Sequence, residues 1–515
     1  MSKGSSDTFV LELPLIVSPQ EEKEINIRFE ASRHLYNACL GECLRCIALI
    51  RQSRSWSQAR ALTKTSENIK QRRELYSKSQ KEYQFSEYAM HFFAATIRKG
   101  CWVENHVDSS LAQKIATKAF LSAKEYLVGK KGRPRFRSRD RFRSVEGKSN
   151  VSGIRWKNGS VIWGIRGGKT LKIDALFDRK DVHGVQAHGL NSRTKYVRLV
   201  RKDVRGEKRY YVQLVQDGKS LQKKKNSIGK EIIGLDIGPS TIATVAESSA
   251  TLGLFCDGLE VNQEKIAQLQ KKMDRSRRQT NQGNFNKDGT VKKGSKKWVR
   301  SKRYLKIRSE VAEFQRKLSE TRKCMHGNLA NAIISRGIFI RTEKLSYKKL
   351  QKDFGRSVGF RAPGMFVSLL RRKAESAGGF VEEFSTYRTK LSQTCHCGIQ
   401  TKKKLSERWH HCSCGVYAQR DLYSAHLARF VEGNHLDTSQ ASKAWPAAEP
   451  LLEHAVSRLN QLANGKARLS SFGLDQRKSR SHVKGGSLSI EAVDVVGANR
   501  EPQRACQFAS RTPCL

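Results

Sequence analysis

Apolar positions change their period several times along the chain. Residues 8–17 read as an initial apolar strand that ends near Pro19. From 27 to about 127 apolar residues recur at helical spacing, with few glycines or prolines to interrupt them. Residues 150–217 return to short alternating runs with turn glycines, and 196–200 and 209–215 flank Arg205-Gly206-Glu207, which predicts a hairpin. From 229 onward short buried-strand runs alternate with helical stretches at 262–278, 298–325 and 364–377, followed by a strand at 380–384. The tail from 433 holds one amphipathic helix at about 448–462 and then a Ser/Arg/Gly-rich stretch expected to be disordered.

Two of the apolar runs carry a single acid. Ile232-Ile233-Gly234-Leu235-Asp236-Ile237-Gly238 is broken only by Asp236, and Gly337-Ile338-Phe339-Ile340-Arg341-Thr342 ends on Glu343. A third acid, Asp421, opens a helical pattern over 421–428. An acid inside a buried strand needs a partner, and a divalent metal is a common one. Isolated Asp and Glu residues are usually surface residues, so Glu343 and Asp421 carry little weight singly. Together with a Gly-x-Asp-x-Gly strand end, the three point to metal-assisted phosphodiester hydrolysis. Two ions roughly 4 Å apart can clamp the attacking and leaving oxygens. Magnesium (or manganese) prefers carboxylate oxygens drawn from different elements.

The charge narrows the partner. Lys and Arg number 98 against 48 Asp and Glu among 515 residues, a net +50. Nucleic acid is the natural polyanion to neutralise it, because each phosphate contact releases counterions. The densest case is Lys130-Lys131-Gly132-Arg133-Pro134-Arg135-Phe136-Arg137-Ser138-Arg139, where Pro134 disfavours helix in its predecessor. Arg133, Arg135, Arg137 and Arg139 are the candidate nucleic-acid contacts. Gly167-Gly168-Lys169-Thr170 lacks the earlier glycine of a phosphate loop, since Trp163 stands five residues before Gly168, and reads as a strand turn.

No run is long enough for a membrane span, and residues 1–17 lack the layout of a signal peptide. The expected setting is soluble and reducing: a prokaryotic cytoplasm, in association with the nucleoid. There the twelve cysteines mean metal sooner than disulfides. Cys395-His396-Cys397-Gly398 and Cys412-Ser413-Cys414-Gly415 have the form of a structural zinc ribbon. The Cys-x-Cys pairs are one residue tighter than the usual knuckle, which leaves His396, His410 or His411 able to replace a thiolate. Cys39, Cys43 and Cys46, alone on one helix, read as core residues.

Gly234-Leu235-Asp236-Ile237-Gly238 with Ala243, Glu343-Lys344-Leu345, Leu391-Ser392-Gln393-Thr394-Cys395 and a ribbon just before Arg420-Asp421 resemble the split RuvC nuclease of the TnpB family and the related compact type V CRISPR effectors. Gly132-Arg133-Pro134-Arg135-Phe136 is similar to the stretch after that family's recognition helices. The resemblance spans about 8–431; the tail has no counterpart. Gln419 stands where the family often has an acid and Tyr423 where it often has asparagine.

The resemblance implies an α+β multidomain fold: a wedge-like N-terminal β-barrel (1–30 and 131–228) interrupted by a helical recognition domain (31–130), then an RNase H-like RuvC domain (229–392 and 419–432). A zinc ribbon (393–418) is inserted there, and a tail (433–515) follows. It implies catalytic metal ligands Asp236, Glu343 and Asp421, structural zinc on Cys395, Cys397, Cys412 and Cys414, and a guide RNA, target double-stranded DNA and displaced strand as partners, in a monomer or homodimer. Base pairing would choose the DNA beside a short flanking motif. The function so implied is RNA-guided DNA cleavage. Guided binding with weak cleavage is the first alternative. A transposase or integrase is the second, disfavoured by the Asp-Glu-Asp order.

Overall fold

A computed structural model describes residues 7–165, 169–404, 406–462 and 472–473. The Gly167-Gly168 turn and nearly all of the chain beyond 462 lie outside the described residues. No helix among those described is long and apolar enough to cross a membrane.

Strand β1 (Thr8–Pro14) leads into α1 (Pro19–Gln52). That helix starts eight residues earlier than its apolar period suggests. Ser18 and Glu21 form a capping box, with the Ser18 N–H donating to the Glu21 carboxylate at 2.8 Å. Helices α2 (Arg54–Ala61), α3 (Ile69–Glu82), α4 (Glu87–Lys99) and α5 (Ser109–Leu127) complete a helical lobe. Ile25, Phe29, Tyr36, Leu40, Cys43 and Ile47 of α1 share one core with Leu111, Ile115 and Phe120 of α5. Cys39, Cys43 and Cys46 are buried in that core, and burial pushes the Cys39 thiol up to about 12.

Strands β2 (Ser144–Glu146), β3 (Ile154–Lys157), β4 (Ser160–Trp163) and β5 (Leu171–Asp174) follow, then α6 (Val185–Asn191), β6 (Thr194–Val204) and β7 (Glu207–Asp217). The β6–β7 hairpin turns on Arg205 and Gly206, both at positive φ (54° and 87°), as a two-residue hairpin loop demands. These strands form a four-stranded sheet in the order β1-β7-β6-β2 and a separate three-stranded sheet β3-β4-β5, not a closed barrel. The two sheets meet where the chain leaving β1 pairs with the end of β5: Ile16 N–H donates to Asp174 O at 2.9 Å, and Leu176 N–H to Pro14 O at 2.8 Å. Among the described residues the other edges, β2 and β3, do not pair with each other. Arg28 of α1, fully buried, joins the helical lobe to the strands by donating to Trp163 O at 2.7 Å while paired with Glu24.

The second half is built on β8 (Ile232–Ile237), β9 (Thr241–Val245), β10 (Ala250–Leu254), α7 (Glu260–Thr280), α8 (Lys302–Ile334), β11 (Phe339–Glu343), α9 (Tyr347–Arg361), α10 (Pro363–Ser376) and β12 (Phe380–Phe384). After α11 (Thr386–Thr389) come the hairpin β13 (Trp409–His411) and β14 (Tyr417–Gln419), then α12 (Arg420–Ala428), the short pair β15 (Val431–Glu432) and β16 (His435–Leu436), and α13 (Thr438–Leu462). The sheet order is β10-β9-β8-β11-β12, antiparallel on the β9 side of β8 and parallel on the β11 side. Ile233, Leu235 and Ile237 share a core with Ile333, Phe366 and Leu370 of α8 and α10. Ala243, Val245 and Leu252 pack instead with α12 and α13.

Helix α13 begins ten residues before the expected start and runs through Pro446 and Pro450. Its Ala441, Trp445, Ala448, Leu452 and Ala455 recur at helical spacing and are all buried, which outweighs the lost backbone donors. Helices α7 and α8 form an arm with a small core of its own: Leu269, Ile307 and Val311, backed by Met273 and Phe314.

Gly234 sets the spacing of the second half. A Cβ there would lie 1.8 Å from the Ala425 carbonyl oxygen, so α12 rests directly on the β8 backbone. Gly234→Ala should therefore destabilise this half by about 3 kcal/mol or more, since the obstacle is backbone. Gly327→Ala in α8 meets nothing within 4 Å and should be neutral or stabilising, by up to about 1 kcal/mol from helix propensity. Urea denaturation of the two variants checks both signs.

Candidate functional site

The three acids approach one another for a geometric reason. Along a strand, residues two apart share a face, so Asp236 points to the same side as Gly234, toward α12. On a helix, residues four apart share a face, so Asp421 lies on the same side of α12 as Ala425. Gly234 and Ala425 touch. Two strand residues advance about 6.6 Å and four helical residues about 6 Å, so the carboxylates meet when the helix runs against the strand. Glu343 arrives from the next strand: β11 is parallel to β8 with Thr342 opposite Leu235, which puts Glu343 beside Asp236 at the carboxyl ends of both strands. That end of a mixed sheet is where ligands bind in open α/β folds.

Burial and like charge act together here. Desolvation, then Asp421 and Glu343, hold the Asp236 carboxyl well above its ordinary range. Burial raises Glu343 to about 7, although it accepts a hydrogen bond from the Leu391 backbone. Asp421 is buried; its Oδ2 accepts from Thr241 Oγ1 at 3.4 Å, and its Oδ1 lies 3.7 Å from Arg420 Nε and 4.0 Å from Arg408 Nη1. Three converging carboxylates, with Arg408 and Arg420 flanking Asp421, are a donor set suited to a hard divalent ion.

Cys395, Cys397, Cys412 and Cys414 place all four Sγ atoms within 4.8 Å of one another, the one such metal-binding group among the described residues. Cys395 Sγ lies 3.5 Å from Cys414 Sγ, and Cys397 Sγ 3.5 Å from Cys412 Sγ. Tetrahedral Zn–S bonds put sulfurs about 3.8 Å apart, so the four thiols fit a structural zinc. Two glycines at positive φ, Gly398 (88°) and Gly415 (97°), close the knuckles. A Cys414 backbone N–H draws Cys412 down to about 7, whereas burial raises Cys395 to about 12. The histidines are engaged elsewhere: His396 Nδ1 with the Tyr423 hydroxyl at 3.1 Å, His410 Nδ1 with Lys403, and His411 edge-on to Tyr417.

The arginine segment is extended and pinned to α1. Arg137 N–H donates to Asn37 Oδ1 at 2.8 Å, and Arg137 O accepts from Asn37 Nδ2 and Arg33 Nη1, both at 3.0 Å. Phe136 sits over Gly41, at 3.8 Å from an ideal Cβ there. Arg133, Arg135, Arg137 and Arg139 are left exposed along one ribbon of chain.

Two features escape sequence reasoning. The tip of the α7–α8 arm is folded by side-chain-to-backbone bonds: Asn281 holds Val299 through N–H and C=O (2.7 and 2.9 Å), and Asn284 donates to Lys297 O at 2.9 Å. It exposes Lys287, Lys292, Lys293, Lys297 and Arg300, and Arg277 lies over both Phe285 and Trp298. The clustered asparagines were the available signal. Arg408 and Arg420 beside Asp421 had none, because Arg408 belongs to the ribbon.

A mixed α/β sheet with converging acids adjoins a four-thiol hairpin whose sulfurs could hold a metal ion. Residues 364–427 match the family model "Cas12f1-like, TNB domain", a segment holding the four cysteines and Asp421. A curated relative, "Putative transposase R186" of Acanthamoeba polyphaga mimivirus, is 27% identical over 199 residues, covering 37% of this chain and 38% of that protein. The alignment thus spans well under half of the relative's length. Among solved structures, a Cas12f1–sgRNA–target DNA complex is 16% identical over 82% of this chain and 98% of that one, with a TM-score of 0.41. A CRISPR-Cas12f ternary complex is 16% identical over 79% and 81%, with a TM-score of 0.27. The matched segment, together with the motifs above, makes the chain similar to TnpB/Cas12f-like proteins.

Two measurements test the centres. Metal analysis should give about one zinc per chain, lost in Cys412→Ser and retained in His411→Ala. Retention in the serine variant would move the ligand set. For the acids, the folded chain holds protons that the unfolded chain releases, so their contribution to stability is full below the unfolded pKa and lost as pH rises through about 7. The melting temperature of metal-free protein should fall between pH 5 and 8, with magnesium reversing the fall. At pH 8 without metal, Asp236→Asn should melt higher than wild type.

Proposed function

We propose that the chain is an RNA-guided DNA endonuclease whose nuclease site is Asp236, Glu343 and Asp421. The observation that carries this reading is their convergence at the carboxyl ends of β8 and β11, under the first turn of α12. The mixed five-stranded sheet, with helices on both faces, supports an RNase H-like RuvC domain over 229–392 and 419–432 with the ribbon (393–418) inserted. The helical lobe (31–130) would serve recognition, and the flanking strands (1–30 and 131–228) would form the wedge. The Cas12f1 complex holds an sgRNA and target DNA; guide RNA, target duplex and displaced strand are the partners proposed for this chain.

The carboxylates would hold magnesium or manganese, which supplies charge stabilisation at the attacked phosphate when bound. Asp236 and Glu343 provide oxygens from the sheet and Asp421 from the helix. Arg408 and Arg420 flank Asp421, at 4.0 and 3.7 Å from its Oδ1. The exposed arginines of 133–139 and the arm tip supply backbone contacts that carry no sequence information, leaving base pairing to choose the target.

Guided binding with weak cleavage is the second reading. It is favoured by Gln419 and Tyr423 standing in place of the family's acid and asparagine.

The test is cleavage with the copurifying RNA and magnesium. Asp236→Ala, Glu343→Ala and Asp421→Ala should each abolish cutting while RNA binding persists, because one lost carboxylate barely changes so basic a surface. Wild-type protein that binds its target but does not cut would support the second reading. Replacing Arg135 and Arg137 together by alanine should weaken binding to all sequences alike and flatten the salt dependence. Sequence-specific binding by RNA-free protein would overturn the guided reading.

A further inference from the structure

Tyr423 is 1% exposed and sits two residues after Asp421 in α12. Two helical residues turn the side chain through about 200°, so Asp421 faces the sheet while Tyr423 faces the ribbon. Its ring is stacked on His410 of β13 at 4.3 Å and meets Trp445 of α13 edge-on at 5.2 Å. Its hydroxyl lies 3.3 Å from Cys395 Sγ, 3.0 Å from the His396 backbone N and 3.1 Å from His396 Nδ1. A backbone N–H can only donate, so the oxygen accepts from His396 and has one proton to give, to the sulfur or to the imidazole. When Cys395 is a metal-bound thiolate, the sulfur is the anionic acceptor, and such bonds are roughly twice as strong as neutral ones.

We propose that Tyr423 is a positioning residue that ties the four-thiol site to Asp421, so that metal held in the ribbon sets the orientation of the helix carrying the third carboxylate. This rests on the reading of Asp421 as a divalent-metal ligand. The ribbon also holds the start of that helix by its backbone: Arg420 N–H donates to Arg408 O at 2.8 Å, and the Arg420 guanidinium to Glu407 O at 2.7 Å. Gln419 caps the first turn by accepting from Leu422 N–H at 2.9 Å. The first turn of α12 is therefore clamped between β8 and the ribbon, with the Tyr423 hydroxyl bonded directly to a thiol. A residue that merely filled the core would need the ring and not the hydroxyl.

Tyr423→Phe keeps the ring and removes that bond. The experiment uses full-length, zinc-loaded protein without nucleic acid. Zinc affinity is read by competition with a chelator, and manganese binding at the carboxylates by electron paramagnetic resonance, with Asp236→Ala defining the background. Loss of a partner outside the ligand set typically costs metal sites tenfold or more, so zinc affinity should fall about tenfold. Manganese affinity should fall several-fold in the same variant, although none of its three ligands has changed. A Phe variant that binds both ions like wild type would overturn the inference, as would weakened zinc with unchanged manganese. Wild-type protein that binds manganese no better than Asp236→Ala would remove the carboxylate reading itself, and the coupling with it.

Discussion

The contact between Gly234 and the Ala425 carbonyl governs the arrangement of the second half of the molecule. Without a side chain on β8 at that point, a helix lies against strand backbone, and the carboxylates two and four residues away are carried into the same space. A larger residue would lift α12 and separate Asp421 from Asp236 and Glu343. The same closeness creates the electrostatic problem of the site, because acids that share a partly buried space repel one another and hold protons above their ordinary range. A divalent cation bound among them would offset that repulsion.

The ribbon shows how a small module is stabilised from outside. Its hairpin has three residues in each strand, too few to enclose a core. Four thiols gather at one end, while Tyr423 from α12, Trp445 from α13 and Phe472 contribute large side chains to the cluster that includes Cys395 and Cys412. The hairpin is thus stabilised by borrowed apolar surface, and a metal ion on the four thiols would add to it. Because α12 is one of the lenders, the ribbon and the carboxylate site share a structural element and do not act as separate modules.

Excess positive charge is handled locally. Many of the acids outside the site are paired within a few residues of a cation: Glu30 with Arg33, Glu42 with Arg45, Asp274 with Arg277 and Arg278, Glu313 with Arg316. Exposed pairs of this kind add little to stability. They leave the 133–139 segment and the arm tip as basic surfaces, each held by polar backbone contacts.

Much of this was legible in the sequence, and the rest follows from contacts that no local pattern records. Strand runs broken by Asp236 and ended by Glu343, the Arg205-Gly206 hairpin and the paired Cys-x-Cys knuckles are short-range signals, because side-chain period, turn chemistry and ligand spacing act over a few residues. The four sulfurs gather as that spacing implied, and the motifs sufficed to indicate the family. The start of α1 was missed because Ser18 and Glu21 define it through a cap, outside the apolar period. The open edges between the two N-terminal sheets, in place of a closed barrel, depend on which strands pair across long separations. Helix α13 continues through two prolines because its apolar face is buried on residues nearly 200 positions away, and local propensity cannot register that gain. The nearby histidines have contacts that only packing sets, His396 Nδ1 with the Tyr423 hydroxyl and His410 Nδ1 with Lys403. Sequence alone named the groups with chemistry to offer; only tertiary packing decided which of them meet, because the distances that matter are set by helices seated on strands far away in the chain.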